Sequence, residues 1–182
     1  GNPSISNLLS LKYSSQHFAL TKPYNDQGDM CFFDIFKYLK QNDITIFIYN
    51  IQLLVNREFY DINISKHNLD IELSPLGRSS RGLSTLTKMF STEKEHLLCT
   101  SLLTMCPVIV SKRKKAEFSE ELKSIYPENP KLQAYEIQFF TRFDQAFHLR
   151  STVPYNQIDF NYHIGFYYYV DHVMNAIFTA LK

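Results

Sequence analysis

The sequence predicts an α+β fold, and three features carry that expectation. Residues 44–112 are dense in β-branched and aromatic side chains and are broken by short polar turns, the pattern of an antiparallel meander. Two aromatic segments, 30–42 and 164–182, space their apolar residues as helices do. The tripeptide Pro-Tyr-Asn occurs at 23–25 and again at 154–156, each time between an extended-looking stretch and a helix, which points to an internal repeat.

The elements follow in order. HFALTKPY (17–24) reads as a short extended run, because Pro23 biases Lys22 away from helical geometry. NDQGD is a loop by composition. MCFFDIFKYLKQN then places Phe32, Ile35, Phe36 and Leu39 on one helical face, predicting a helix over 32–41 that buries them beneath strands drawn from 44–112. The strands are expected in 44–60, 69–77, 81–92 and 97–112, separated by SKHN, SPLGRSS and STEKEH. Ser119 caps a short helix that ends at the proline-bounded break of 127–130. The order then restarts: 135–155 extended, 156–163 a polar loop, 164–182 a helix. The domains expected are 1–127 and 131–182, the second holding only a strand and a helix.

Composition excludes several classes. A chain of 182 residues with 45% hydrophobic and 15% aromatic content is folded and globular. A net charge of +1 gives no general pull towards nucleic acid. The longest apolar run, LLCTSLLTMCPVIV (97–110), is 14 residues and too short to span a bilayer. Cys31, Cys99 and Cys106 form neither a disulfide framework nor a zinc pair, so a reducing, cytoplasmic setting is expected, with no metal and no cofactor. No signal peptide is visible at the N-terminus.

A strand, a helix and a meander able to wrap it resemble the hot-dog fold of acyl-CoA and acyl-carrier-protein thioesterases. Three stretches carry the resemblance. DFNYHIGFYYYVD (159–171) is similar to that family's loop-helix signature D-x-x-G-H-V-N-N-x-x-Y-[LV], matching at Asp159, His163, Ile164, Tyr169 and Val170. It departs at Tyr162, where glycine is usual, and at Gly165-Phe166, where the family has two asparagines. ELSPLGRSSRGLSTLTKMF (72–90) and VIVSKRKKAEFSEELKSIYP (108–127) resemble its hairpin and closing segments. The resemblance implies a tandem hot-dog architecture with an incomplete second unit.

It also implies acyl thioester hydrolysis. Asp159, ahead of a helix whose free N–H groups suit a developing oxyanion, would act as base or nucleophile, with His163 orienting it or sharing the proton. The plain alternatives are a helix-capping aspartate and a hydrogen-bonded core histidine. The first repeat has Gly28 and Phe32 at the equivalent places, so only the second copy supplies such a pair. Arg78, Ser79, Ser80 and Arg81 are candidates for the phosphates of a coenzyme A or carrier arm, against an ordinary polar hairpin turn. SKRKK (111–115) is either a solvated strand end or a landing place for an acidic carrier protein. A non-catalytic acyl-binding or assembly subunit is the alternative function, favoured by the departures at Tyr162, Gly165 and Phe166. The apolar face of the last helix predicts a homo-oligomer, or completion by a second chain or segment.

Overall fold

A computed structural model describes residues 5–61, 68–91, 96–132, 150–158, 164 and 166–181. The extended run expected at 135–149 and the loop pair Asp159 and His163 lie outside them. The chain divides into two compact units, Gly1–Pro3 with Lys12–Tyr135 and Ser4–Leu11 with Glu136–Lys182.

Five strands form the sheet of the first unit: β1 (Ile44–Val55), β2 (Leu69–Arg78), β3 (Leu83–Ser91), β4 (Leu97–Ile109) and β5 (Lys114–Lys115). The order is β1-β4-β3-β2, every pairing between these strands is antiparallel, and the two-residue β5 adds to the end of β4. The expected meander is therefore present. Residues 58–60, read as the end of the first strand, instead belong to a helical turn, α3 (Glu58–Asp61), anchored by the buried Phe59.

The helix on the sheet differs from the one expected. α1 (Ile5–Thr21) is helical where the sequence reading placed an extended run from residue 17. Pro23 ends this helix rather than a strand, since it disfavours helical geometry only at the residue before it. The described buried residues of α1 are Leu8, Leu9, Lys12, Gln16 and Ala19, the last four spaced three and four apart along one face. Two of the five are polar, which hides the periodicity from an apolar count.

Gln16 fixes where α1 lies. Its Nε2 donates to Thr85 Oγ1 on β3 at 3.1 Å and to Met105 Sδ on β4 at 3.1 Å. Thr85 lies on the face formed by Leu83, Thr85, Thr87, Met89 and Ser91, all buried. Met105 pairs with Leu83, and Cys99, Ser101 and Leu103 continue that face on β4.

The helix predicted over 32–41 forms as α2 (Ile35–Asn42), with a different role. Asp34 caps it, its carboxylate accepting the Lys37 N–H at 2.9 Å, and Asp43 closes it in the left-handed region at φ 55°. Phe36 is 60% exposed and Leu39 44%, so their expected burial is overturned; among the residues of α2 only Tyr38 is buried. Tyr38 stacks on Phe33 at 4.7 Å between ring centres, and both join Leu83, Leu122 and Tyr126 in a core. α2 therefore packs at one end of the sheet beside α4 (Glu120–Ile125), which Ser119 caps as expected. Tyr38 bonds Ser119 and Glu121, and Lys37 pairs with Glu121 at 2.9 Å, tying α2 to α4.

The second unit contains a 3-10 turn at Tyr155–Gln157 and the helix α5 (Phe166–Ala180), the latter as expected. Residues 151–154, ahead of that turn, are non-helical, whereas their repeat partners 20–23 run off the end of α1. The two Pro-Tyr-Asn copies thus follow different local structures.

Lys12 has a measurable consequence. It is 1% exposed, and burial pushes its ammonium from 10.5 down to about 7. Between those values the unfolded chain holds a proton that the folded chain lacks, so stability rises with pH there and is flat below about 7. The slope is about 1.4 kcal/mol per pH unit at most. Urea unfolding at pH 7 and pH 9 should show wild type gaining stability, and Lys12→Met should be more stable at pH 7 and lack that gain. Equal pH slopes in the two proteins would contradict the burial of Lys12.

Candidate functional site

The hairpin between β2 and β3 collects most of the described candidates. Ser79 N–H donates to Gly82 O at 2.9 Å, and Ser79 Oγ accepts from the Arg81 N–H at 3.2 Å, so residues 79–82 form a tight turn. Two glycines make this geometry possible. Gly77 sits at φ 130°, and a Cβ there would stand 2.7 Å from Pro127 O. At Gly82 a Cβ would collide with the carbonyl of Met105.

Arg78 is engaged away from the turn. Its N–H donates to Pro127 O at 2.9 Å, its carbonyl accepts from Asn129 N–H at 3.0 Å, and its guanidinium lies 3.8 Å from Glu128. It therefore holds the 127–129 segment against β2. Arg81 is exposed and donates to Tyr49 Oη at 2.9 Å across the sheet.

The fold joins two signals that are separate in sequence. Lys112 and Arg113 on the turn after β4 and Lys114 and Lys115 of β5 are all exposed, and Lys115 Nζ donates to the carbonyl of Ser80. Lys115 also stands 5.0 Å over the Phe118 ring. Thus the turn of Ser79, Ser80 and Arg81 meets Lys115, at the end of the basic stretch 112–115, in one basic corner where Arg81 bonds Tyr49 and Lys115 covers Phe118. Cys106 lies close enough for Lys115 to oppose the upward shift that burial imposes on its thiol. The described side-chain geometry suits an extended anion such as a chain of phosphates.

In the second unit, His172 of α5 uses both ring nitrogens. Nδ1 lies 3.3 Å from Ser151 Oγ and Nε2 lies 3.2 Å from Gln157 Oε1. The tautomer protonated on Nε2 satisfies both partners. The sequence reading passed over His172, since a histidine inside an aromatic helix announces no partner. Its role is to hold 151–157 against α5. His172→Ala should raise hydrogen exchange over 151–158 about tenfold, corresponding to roughly 1.4 kcal/mol of lost local stability. Unchanged exchange would mean that those bonds hold nothing.

No protein-family model matches the chain, and no curated protein sequence matches it. Solved structures do. The 12:0-ACP thioesterase from Umbellularia californica superposes with a TM-score of 0.66 at 17% identity, over 97% of this chain and 68% of that one. The acyl-ACP thioesterase from Bacteroides thetaiotaomicron gives 0.62 at 13%, over 96% and 66%. SAV2348 from Staphylococcus aureus, solved in complex with CoA, gives 0.51 at 10%, over 85% and 86%. The chain thus spans about two thirds of the first two structures. A helix docked on an antiparallel sheet, matched over nearly the whole chain, establishes that this protein has the hot-dog fold of those thioesterases.

Proposed function

We propose that the protein hydrolyses acyl thioesters, with Asp159 as base or nucleophile and His163 as its partner. The observation that carries this reading is the match along 97% of the chain to an acyl-ACP thioesterase. The sequence DFNYHIG leading into α5 supports it. In this reading the Asp159 carboxylate takes a proton from a water that adds to the thioester carbonyl, or itself adds to that carbonyl to form an acyl anhydride that water then hydrolyses. Backbone N–H groups at the start of α5 favour the negative charge that develops on oxygen. His163 orients the carboxylate and passes a proton to the sulfur as the C–S bond breaks, so that the carrier leaves as a free thiol and the acyl group as a carboxylic acid. In this reading 131–182 begins a second hot-dog repeat.

The basic corner of Arg81, Lys115 and the 112–114 turn then receives the anionic carrier. That carrier is the phosphate-rich arm of coenzyme A or the acidic surface of a carrier protein. The α5 stripe of Tyr169, Val173, Ile177 and Leu181 is exposed in this chain and is covered by a second copy or a further segment. Sedimentation showing only monomers would remove the second copy from that reading.

The test is thiol release from a panel of acyl-CoA and acyl-carrier-protein substrates. Asp159→Asn should lower kcat by about 10²–10⁴-fold, the usual range for a general base. Arg81→Glu with Lys115→Glu should raise KM, with kcat held, and should flatten the salt dependence of KM. Full activity in Asp159→Asn would dismiss that residue, and no activity on any acyl thioester would dismiss the reaction. Tyr162 and Gly165-Phe166, where the loop departs from the family, favour a second reading: an acyl-binding subunit without turnover. Acyl lipid carried through purification, with no thiol release, would select it.

A further inference from the structure

We propose that Ser151 is an activated nucleophile that takes the acyl group of a small activated ester, with His172 as its base and Gln157 positioning that base. The three side chains lie in the second unit, on the non-helical stretch 151–154, the 3-10 turn Tyr155–Gln157 and α5. Ser151 Oγ stands 3.3 Å from His172 Nδ1, and His172 Nε2 stands 3.2 Å from Gln157 Oε1. An amide oxygen only accepts, so in the neutral ring Nε2 carries the proton. The lone pair of Nδ1 then faces the serine hydroxyl. Nucleophile, base and orienting group thus follow in the order that activates a serine. Ser151 is exposed, as are Arg150, Thr152, Pro154 and Tyr155, so a small ester reaches its oxygen from solvent.

The Ser151 proton passes to His172 Nδ1 as Oγ bonds to the carbonyl carbon of the ester. The bond from that carbon to the leaving oxygen then breaks, and the imidazolium gives its proton to the departing alcohol. The products are acyl-serine and the alcohol. Water repeating the same sequence returns free serine and a carboxylic acid. Gln157 is uncharged, so it orients the ring without stabilising the imidazolium as a carboxylate would. An activated ester eases the first half with a good leaving group, and nothing eases the second half in the same way. Acyl-serine therefore accumulates.

The inference uses these three side chains alone, and its readout is an acyl group on Ser151, which thiol release from acyl thioesters does not report. The whole chain would be mixed with p-nitrophenyl acetate, nitrophenol release followed, and the acetyl group mapped by peptide mass spectrometry. Wild type should give a burst of about one equivalent, with acetyl on Ser151. S151A should abolish the burst, and H172Q should slow it about 10²–10⁴-fold, the range of a general base. S151C sets a thiol before the same base, and should react with iodoacetamide about tenfold faster than S151C/H172Q. Nitrogen NMR shifts of His172 should report the Nε2–H tautomer in wild type and a mixture of tautomers in Q157A, whose burst is slower. No burst, acetyl on other residues with Ser151 bare, or a burst unchanged in H172Q would each overturn the proposal. Equal iodoacetamide rates with and without His172 would overturn it as well, and an unchanged tautomer in Q157A would overturn the role of Gln157.

Discussion

The first unit depends on a polar contact where an apolar one would be ordinary. Gln16 reaches from α1 to two different strands, bonding Thr85 of β3 and Met105 of β4. A side-chain amide buried between helix and sheet is costly unless it is bonded, so the contact restricts both the rotation and the axial position of the helix. A purely apolar face would tolerate sliding by a turn. Around it, Gln16 Oε1, Thr87 Oγ1 and Ser101 Oγ are buried with no hydrogen-bond partner among the described residues. Together with Lys12 they give the interface an unusually polar interior, and the cost is offset by Leu83, Met89 and Leu103 on the same sheet face.

Docking α1 in that position organises what surrounds it. The helix ends at Thr21, and Pro23 turns the chain into the loop whose Tyr24 bonds the cap of α2. α2 and α4 then close one end of the sheet through Tyr38, Ser119 and Glu121. At the hairpin, the turn closes against Met105 because Gly82 carries no side chain. The long β4 carries its continuation back to Ser80, so two basic stretches some thirty residues apart share a corner.

How far the sequence could be read follows from the kind of signal each element leaves. The strands announce themselves through β-branched density and turn clusters, and Ser119 through its capping position. α5 is legible because its face is aromatic. α1 is not, since Lys12 and Gln16 occupy positions where an apolar pattern would have leucines. α2 misleads in the opposite sense: Phe32, Ile35, Phe36 and Leu39 make a regular stripe, yet Phe36 and Leu39 face solvent. For the candidate site, the residue types of the 78–81 turn were visible, but the diversion of Arg78 to Pro127 and Asn129 and the reach of Lys115 to Ser80 are long-range contacts. His172 was invisible for the same reason, its partners lying 21 and 15 residues away.

The most direct measurement of this account is a double-mutant cycle of Gln16→Ala and Thr85→Ala, followed by urea unfolding. If Gln16 docks α1 onto β3, the two substitutions couple by about 0.5–3 kcal/mol, as contacting residues do. Additivity within about 0.3 kcal/mol would mean that the two side chains do not meet, and would contradict the placement of α1 as the helix of this fold.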